Sequence, residues 1–216
     1  MFQFICADPC NVEVERKIEE FWQKSVSQAQ GPIWDGPIIR VFEVHEDRLV
    51  LNWTTYRYYL AARAGIQAGG AFLALGVTAV VCCRDGLVLG RRNEGLASLG
   101  GFWECAPAGN AESADPAADI RRELREELGI APELTDEVRP VGLVLDPAEF
   151  IIDCVFSVGV DLGAERIREL HRLHGSDEYS EIAIVPEREI RHFLAAQSGH
   201  VLRNVPVILE LVGRFN

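Results

Sequence analysis

The segment from Ala64 to Cys83 constrains the fold of this chain most strongly, because its twenty residues carry no charge. A segment of this length could cross a bilayer as a helix. However, it contains four glycines, its second half VTAVVCC is rich in β-branched residues, and RDGLVLGRR follows at once. These features favour a Gly-rich connector that enters a buried strand, followed by a turn and a second strand. We therefore predict a sheet rather than a membrane span.

The first seventy residues differ in pattern from the rest of the chain. VEVERKIEEFWQK has the apolar spacing of an amphipathic helix, and PIIRVFEV and RLVLNW have the composition of short strands. TTYRYYLAARAG begins with a threonine that can cap a helix and ends at a glycine, so it predicts a second helix. The glycines between positions 65 and 70 mark a boundary. We expect a small N-terminal α/β extension over residues 1–70 and a main domain over residues 71–216.

The main domain mixes strands and helices along the chain. Strands are predicted at 73–83, 86–92, 102–107, 138–145 and 149–160, and again in EIAIVP near residue 181. Helices are predicted near 116–129, 187–196 and 204–214, and in a segment that places Ile167, Leu170 and Leu173 on one face. The order of elements is strands first, then a central helix, more strands and terminal helices. This order indicates the α+β fold class.

The charge balance limits which partners this chain can bind. Lys and Arg number 21 against 33 Asp and Glu, so the net charge is −12 at pH 7. A field of that sign argues against a general binder of nucleic-acid backbones. An acidic protein can still bind phosphates when a divalent cation lies between them and its carboxylates. A dinucleotide-binding fold and a P-loop are not supported, because neither G-x-G-x-x-G after a strand nor a Walker A loop occurs.

The cysteines and the N-terminus indicate a reducing compartment. The six cysteines include the adjacent pair Cys82 and Cys83 but form no C-x-x-C, and Cys6 and Cys10 lack a partner pair at zinc-site spacing. We predict free thiols. The opening sequence MFQFICADPC lacks the basic start and long apolar core of a signal peptide. A cytoplasmic location is therefore expected, with no membrane and no nucleic-acid partner.

The most informative segment is RELREELGI at residues 122–130. On a helix, Glu123, Glu126 and Glu127 fall within an arc of about 100°, beside an apolar stripe that ends at Leu128. Carboxylates gathered in this way repel one another unless a positive group offsets them. Mg²⁺ does so with oxygen ligands while keeping waters and substrate phosphates in its other positions. Taken alone, the segment also fits a solvated acidic helix face with arginine pairs.

This segment resembles the second half of the Nudix box, G-x5-E-x7-R-E-U-x-E-E-x-G-U, where U is an aliphatic residue. Every fixed position of that half is filled. LVLGRR at 87–92 and GFWECAPAGN at 101–110 are similar to the segments that precede the box in Nudix proteins, so the likeness covers about residues 71–193. The resemblance implies a Nudix-type α/β/α sandwich.

The first half of the box departs from the family pattern. With one residue deleted, the family's glycine falls on Gly109 and its first glutamate on Asp115. By resemblance, the backbone carbonyl of Gly109 would be a metal ligand. Asp115 has two interpretations: it replaces the family's glutamate, or it caps a helix ahead of Pro116, since proline suits the first helical position.

The resemblance also implies roles for individual side chains. Glu123 and Glu127 would be the principal Mg²⁺ ligands, with Mn²⁺ as a substitute, and Glu126 would be a ligand or the general base. Arg122 would orient these carboxylates. A further catalytic carboxylate often comes from a later loop, and here Glu178 or Glu181 in GSDEYSEI is in place, although both also suit a solvated acidic loop.

Three other residues are candidates for contacts with the substrate. Arg91 and Arg92 could each reach a phosphate, with a plain surface charge as the alternative for one of them. Trp103 could stack on a ring of the substrate, although an aromatic residue in such a strand usually belongs to the core.

The implied function is Mg²⁺-dependent hydrolysis of a nucleoside diphosphate linked to another moiety. Gly36-Pro37, followed by T-Y-R at residues 55–57, is similar to the region before the Nudix domain in the UDP-sugar diphosphatase branch. We therefore expect a small nucleotide sugar such as UDP-glucose as substrate, then ADP-ribose, then a nucleoside triphosphate. A Nudix-fold sensor that binds a nucleotide without cleaving it is the alternative outside enzymes. The N-terminal extension would select the substrate or form a homodimer.

Overall fold

The structure is a computed structural model that describes residues 2–4, 12–29, 34–66, 72–96 and 98–214. Within these ranges the chain divides into two compact units. The first comprises Met1–Gly76, Asn110–Ala114 and Leu145–Ile152, and the second comprises Val77–Gly109, Asp115–Val144 and Asp153–Asn216. The predicted boundary at residue 70 stays a prediction, because residues 67–71 lie outside the described part of the chain.

The first unit contains the two helices and two strands expected from the N-terminal sequence, together with a short strand, Phe2–Phe4, that was not predicted. They are β1 Phe2–Phe4, α1 Val12–Gln28, β2 Pro37–Val44, β3 Leu49–Thr55 and α2 Tyr56–Arg63. Strand β3 pairs in parallel with β1 and antiparallel with β2. Tyr59 lies buried in a cluster with Ile38 and Phe72. Thr55 is the N-cap residue of α2, as predicted, but its side chain makes no capping hydrogen bond.

The second unit holds most of the remaining elements. The strands are β4 Leu73–Cys83, which begins in the first unit, β5 Gly86–Arg92, β6 Trp103–Cys105, β7 Ala108–Asn110, β8 Thr135–Asp146, β9 Ile151–Val160 and β10 Tyr179–Val185. The helices are α3 Pro116–Leu128, α4 Ala164–His174, α5 Ile190–Ala196 and α6 Val205–Leu211. Two 3-10 turns, Pro132–Leu134 and Glu187–Glu189, complete the list. The predicted α+β class is confirmed.

Strand β5 pairs with the strands that carry the candidate site. It pairs antiparallel with β10 from Leu87 to Arg92, with β4 at Gly86 and Leu87, and with β6 from Leu89 to Arg91. One face of these strands packs Leu87, Leu89 and Cys105 into a core that α5 and α6 cover with Ile190 and Ile208. Burial of this apolar face stabilises the sheet and leaves the opposite face of β5 and β6 for polar groups.

The second half of the long uncharged segment, from Leu73 to Cys83, forms strand β4 and not a helix. The residues of β4 from Ala74 to Val81 are buried, as a strand covered on both faces requires. In the described part of the chain, no helix is long and apolar enough to cross a membrane.

Two sequence predictions need correction. The strand predicted at 102–107 is shorter, because β6 ends at Cys105 and Ala106-Pro107 separates it from a second short strand, β7. A continuous ladder cannot run through that point because proline lacks a backbone N–H. On the predicted apolar face of α4, Ile167 and Leu170 are buried, whereas Leu173 is 51% exposed. Cys82, Cys83, Cys105 and Cys154 are free thiols, while Cys6 and Cys10 lie outside the described residues.

Candidate active site

The helix that carries the acidic segment, α3, has well-formed ends. Asp115 is its N-cap, and a side-chain oxygen accepts hydrogen bonds from the backbone N–H groups of Ala117 and Ala118 at 3.1 and 3.2 Å. Pro116 occupies the first turn, and Gly129 ends the helix in the left-handed conformation with φ 66°. These ends set where the three glutamates stand along the helix. Of the two interpretations of Asp115, the geometry supports the helix cap.

The three glutamates of α3 lie in different environments. Glu123 and Glu127 are each only 7% exposed, whereas the side chain of Glu126 is 48% exposed. Arg122 joins two of them, since its guanidinium lies 2.7 Å from Glu123 and 2.9 Å from Glu126. The predicted arrangement of the arginine beside these carboxylates is therefore present. Burial of two carboxylates on one helix face costs free energy unless a positive charge compensates them.

Strand β7 brings the backbone against this face of α3. The N–H of Ala108 donates to Glu127 Oε2 at 3.2 Å. A Cβ atom added to Gly109 would lie 2.4 Å from Glu123 Oε1, closer than real Cβ contacts come. Position 109 therefore requires glycine if Glu123 is to keep its place. The predicted role of the Gly109 carbonyl as a metal ligand stays a prediction, but the residue lies directly against Glu123.

A second acidic group surrounds Arg92 on strand β5. The guanidinium of Arg92 pairs with Glu104 at 2.8 Å and with Glu178 at 2.9 Å. The hydroxyl of Tyr179 donates to the same oxygen of Glu104 at 3.1 Å. Glu104 is 6% exposed and Tyr179 is 3% exposed. Arg92 is therefore the central cation of a largely buried network.

The strand register explains why these residues meet. Glu104 of β6 is paired with Gly90, and Tyr179 of β10 is paired with Arg92. A Cβ atom on Gly90 would lie 2.5 Å from the ring of Tyr179, so only glycine lets that ring cross β5. Since alternate residues of a strand share a face, Gly90 and Arg92 present the network on one face and Leu89 points to the core on the other.

Electrostatics connect the network to α3. Burial raises the pKa of Glu127 well above its ordinary value, and the negative charges of Glu123, Glu104 and Glu178 raise it further. Burial also raises the pKa of Glu104, although Arg92 opposes this effect. Burial alone would lower the pKa of Arg92, but the charges of Glu104 and Glu178 outweigh it and raise that pKa. Glu127 is therefore close enough to Glu104 and Glu178 for their charges to raise its pKa.

The structure separates the two candidates for a later catalytic carboxylate. Glu178 is half-buried and belongs to the Arg92 network. Glu181 is exposed, and its partner across the strands is Arg91. The geometry therefore brings Glu178 to the site and does not bring Glu181 there.

The three candidates for substrate contacts also differ. Arg92 is engaged with carboxylates, so it is not a free phosphate ligand. Arg91 donates to the carbonyl of Gly101 at 3.3 Å and lies 3.5 Å from Glu94. Trp103 is 4% exposed and packs edge-on against Phe193 in the core, so its burial supports packing rather than stacking on a substrate.

Two residues of the site, Glu104 and Tyr179, are not among those predicted from the sequence. Glu104 and Tyr179 carry no recognisable motif of their own, and their partners are distant along the chain. A usable signal existed for Glu104, because it is the single charged residue in the apolar strand FWECA. An acidic residue in a buried strand needs a partner, and that requirement could have pointed to the arginines of the neighbouring strand.

The donor set suits a hard divalent cation. Glu104, Glu123, Glu127 and Glu178 bring four carboxylates, against the two guanidiniums of Arg92 and Arg122. Carboxylate and carbonyl oxygens are the ligands that Mg²⁺ prefers. Across the described ranges, no three His, Cys, Asp or Glu side chains are already placed to hold a metal ion. The arginines instead hold the carboxylates, and a cation would compete with Arg122 for Glu123.

Comparison with known proteins identifies the family. A model of the Nudix domain matches residues 73–205, which is more than half of the chain. The chain therefore belongs to the Nudix domain family, and the predicted Nudix-type fold is confirmed. This membership supports an enzyme that acts on phosphoanhydride bonds of nucleoside diphosphate derivatives. A comparison with curated proteins gives no significant match.

Several solved structures resemble the chain at low identity. A Deinococcus radiodurans protein is 16% identical, with 66% of this chain and 83% of that chain covered and a TM-score of 0.49. A Nudix hydrolase from Nitrosomonas europaea is 19% identical, with 64% and 87% covered and a TM-score of 0.48. The Nudix domain of Shewanella oneidensis NrtR, solved with ADP ribose, is 14% identical, with 68% and 89% covered and a TM-score of 0.49. Likenesses this distant say nothing about the substrate of this chain.

Proposed function

We propose that this protein hydrolyses the diphosphate bridge of a nucleotide sugar in the presence of Mg²⁺, with UDP-glucose as the representative substrate. The products would be a nucleoside monophosphate and a sugar 1-phosphate. The observation that carries the proposal is the buried pair Glu123 and Glu127 on the helix that fills the second half of the Nudix box. Mn²⁺ would substitute for Mg²⁺.

Glu123 and Glu127 would hold the metal, together with the backbone carbonyl of Gly109. When bound, the cation would neutralise the two phosphates and acidify a water molecule. The buried position of both glutamates supports this role, because carboxylates in a site of low dielectric bind a cation more strongly than exposed ones. Gly109 supports it by leaving room for the Glu123 carboxylate, which a larger residue would displace.

Glu126 is our proposed general base. Its carboxylate is open to solvent, so it can reach an attacking water, and the 2.9 Å contact with Arg122 restrains its position. Glu178 would instead shape the charge of the site through Arg92. Arg91 would contact a phosphate of the substrate, since its contact with Glu94 is long and exposed enough to be exchanged.

The preference for a nucleotide sugar depends on the N-terminal likeness to the UDP-sugar branch. ADP-ribose is the alternative substrate, and both share the diphosphate bridge that the acidic site would act on. Three further expectations stay predictions. They are substrate selection or dimerisation by the N-terminal extension, a homodimer, and a cytoplasmic location.

Product analysis tests the proposal directly. The protein is incubated with Mg²⁺ and either UDP-glucose or ADP-ribose, and the products are separated. UMP with glucose 1-phosphate supports the proposed substrate, whereas AMP with ribose 5-phosphate alone keeps the reaction and changes the substrate. Glu127→Gln should abolish turnover, while Glu133→Gln, at an exposed glutamate outside the site, should leave it unchanged. Full activity in Glu127→Gln would refute the site.

A further inference from the structure

Glu178 takes part in the acidic site from a loop, and a loop needs anchors to hold a carboxylate in place. The loop consists of residues 175–178, between α4 and β10. Its first residue packs tightly, because a Cβ atom on Gly175 would lie 2.6 Å from the carbonyl oxygen of Glu127. The N–H of Ser176 then donates to the carbonyl of Glu126 at 2.8 Å. The start of the loop is therefore attached to the acidic helix itself.

The other end of the loop is attached to Asn93, the residue directly after β5. The backbone N–H of Asn93 donates to the carbonyl of Glu178 at 2.8 Å, and its side-chain Nδ2 donates to the carbonyl of Asp177 at 3.2 Å. Two consecutive carbonyls of the loop are thus bound by one residue. Since Arg92 precedes Asn93, the same stretch of chain holds both the backbone of Glu178 and its carboxylate.

Asn93 is itself fixed by the hairpin that joins β5 to β6. Its Oδ1 accepts from the N–H of Gly95 at 3.0 Å, and its carbonyl accepts from the N–H of Leu96 at 3.1 Å. A Cβ atom on Gly100 would lie 2.9 Å from that carbonyl oxygen, so the hairpin closes tightly around it. The acceptor and the donor of the Asn93 amide therefore have different tasks: Oδ1 orders the hairpin and Nδ2 holds the loop.

We propose that Asn93 is a positioning residue that fixes the 175–178 loop and thereby holds Glu178 against Arg92 in the acidic site. It acts through Glu178 rather than on the substrate. The expected effect of Asn93 on turnover rests on the proposed function. The expected effect on the order of the 175–178 loop rests on the hydrogen bonds alone. The two parts can therefore be tested separately.

Asn93→Asp is the most selective variant, because it keeps the oxygen that accepts from Gly95 and replaces the donor to Asp177 by a second oxygen. Asn93→Ala removes both contacts and serves if the aspartate variant does not fold. Glu94→Gln is the matched control in the same hairpin, since it loses only the 3.5 Å exposed contact with Arg91.

Hydrogen exchange followed by mass spectrometry tests the structural part without any substrate. Peptides that cover residues 175–180 should exchange faster in Asn93→Asp than in the wild type, and no faster in Glu94→Gln, because the loop has lost an anchor. Exchange at the wild-type rate in both Asn93 variants would overturn the proposal. The exchange measurement does not depend on catalytic activity. If the wild type cleaves neither UDP-glucose nor ADP-ribose, the proposed function fails, but hydrogen exchange still tests whether Asn93 anchors the loop.

A kinetic double-mutant cycle tests the rest. Asn93→Asp should lower kcat about five- to tenfold with KM within about twofold, as expected for one lost hydrogen bond that positions a group. In the Glu178→Gln background, the same substitution should lower kcat by less than about twofold, because its target has already been removed. An equal loss of kcat in both backgrounds would show that Asn93 acts by another route and would refute the positioning role.

Discussion

Replacing Glu127 by glutamine should make the metal-free protein more stable while it abolishes activity. Glu127 is 7% exposed and its pKa is raised by burial first and then by Glu123, Glu104 and Glu178. Ionised Glu127 thus costs free energy in the folded state at neutral pH. Glutamine has the same shape, keeps an oxygen for the N–H of Ala108, and carries no charge.

The size of the effect follows from relief of repulsion among buried charges. Replacement of buried charged groups by neutral side chains of similar volume stabilises proteins by up to about 4 kcal/mol. For a chain of this size, each kcal/mol corresponds to roughly 2–4 °C in Tm. We therefore expect Tm of Glu127→Gln to exceed that of the wild type by several degrees at pH 8 in EDTA.

The pH dependence gives a sharper test, and its sign is determined by the direction of the pKa shift. The folded-state pKa of Glu127 lies above the value of 4.5 in the unfolded chain, so the folded state binds more protons. Stability must then fall as the pH rises above the unfolded pKa and continue to fall until the folded pKa is passed. Between pH 5 and pH 8, the wild type should lose more stability than Glu127→Gln.

Thermal unfolding in EDTA at pH 5 and pH 8 measures both quantities, with Glu133→Gln as the control for loss of an ordinary surface charge. Adding Mg²⁺ at pH 8 should raise Tm of the wild type and have little effect on Glu127→Gln, because binding to the folded state alone stabilises it. A glutamine variant that unfolds below the wild type at pH 8, or that shows the same pH dependence, would refute the electrostatic reasoning.

Three further substitutions have defined outcomes. Gly109→Ala should displace Glu123 and lower kcat about a hundredfold at unchanged helix content, since a small misplacement of a catalytic group has this effect. Gly95→Ala is the control, because its Cβ atom would lie 3.5 Å from its nearest neighbour. Equal activity of the two variants would contradict the steric argument. Arg92→Leu leaves its two carboxylates unpaired and should destabilise the fold by about 3–5 kcal/mol in urea unfolding, with a loss below about 1 kcal/mol counting against a buried network. Asp115→Ala should cost about 1 kcal/mol of stability as the loss of an N-cap and leave kcat unchanged, whereas a large fall in kcat would mean that Asp115 takes part in the metal site.

The parts of the site that lie on one helix were predictable from the sequence. Helical spacing placed Glu123, Glu126 and Glu127 on one arc and identified Arg122 as their neighbour, and the structure has this arrangement. The ends of α3 were also readable, because a cap and a terminal glycine act on the backbone next to them. Local geometry depends on neighbours in sequence, so a local pattern carries it.

The environment of each glutamate was not readable in that way. Helical geometry treats Glu126 and Glu127 as adjacent members of one acidic face, yet one is open to solvent and the other is buried against β7. Glu178 and Glu181 are likewise equivalent in an acidic turn, and the register of β10 against β5 separates them. Burial of a side chain depends on which strand packs against it, and the residues next to it in the sequence do not indicate which strand that is.

The sequence by itself therefore determined the elements, the acidic helix and the family to which it belongs. The tertiary structure decided which carboxylates share a site, because Arg92 meets Glu104 and Glu178 only when strands from distant parts of the chain pair in register. It also assigned a task to Asn93, which no motif marks. Pairing across a sheet links residues whose separation along the chain is large, and the energies that select that pairing come from the whole core rather than from any local segment.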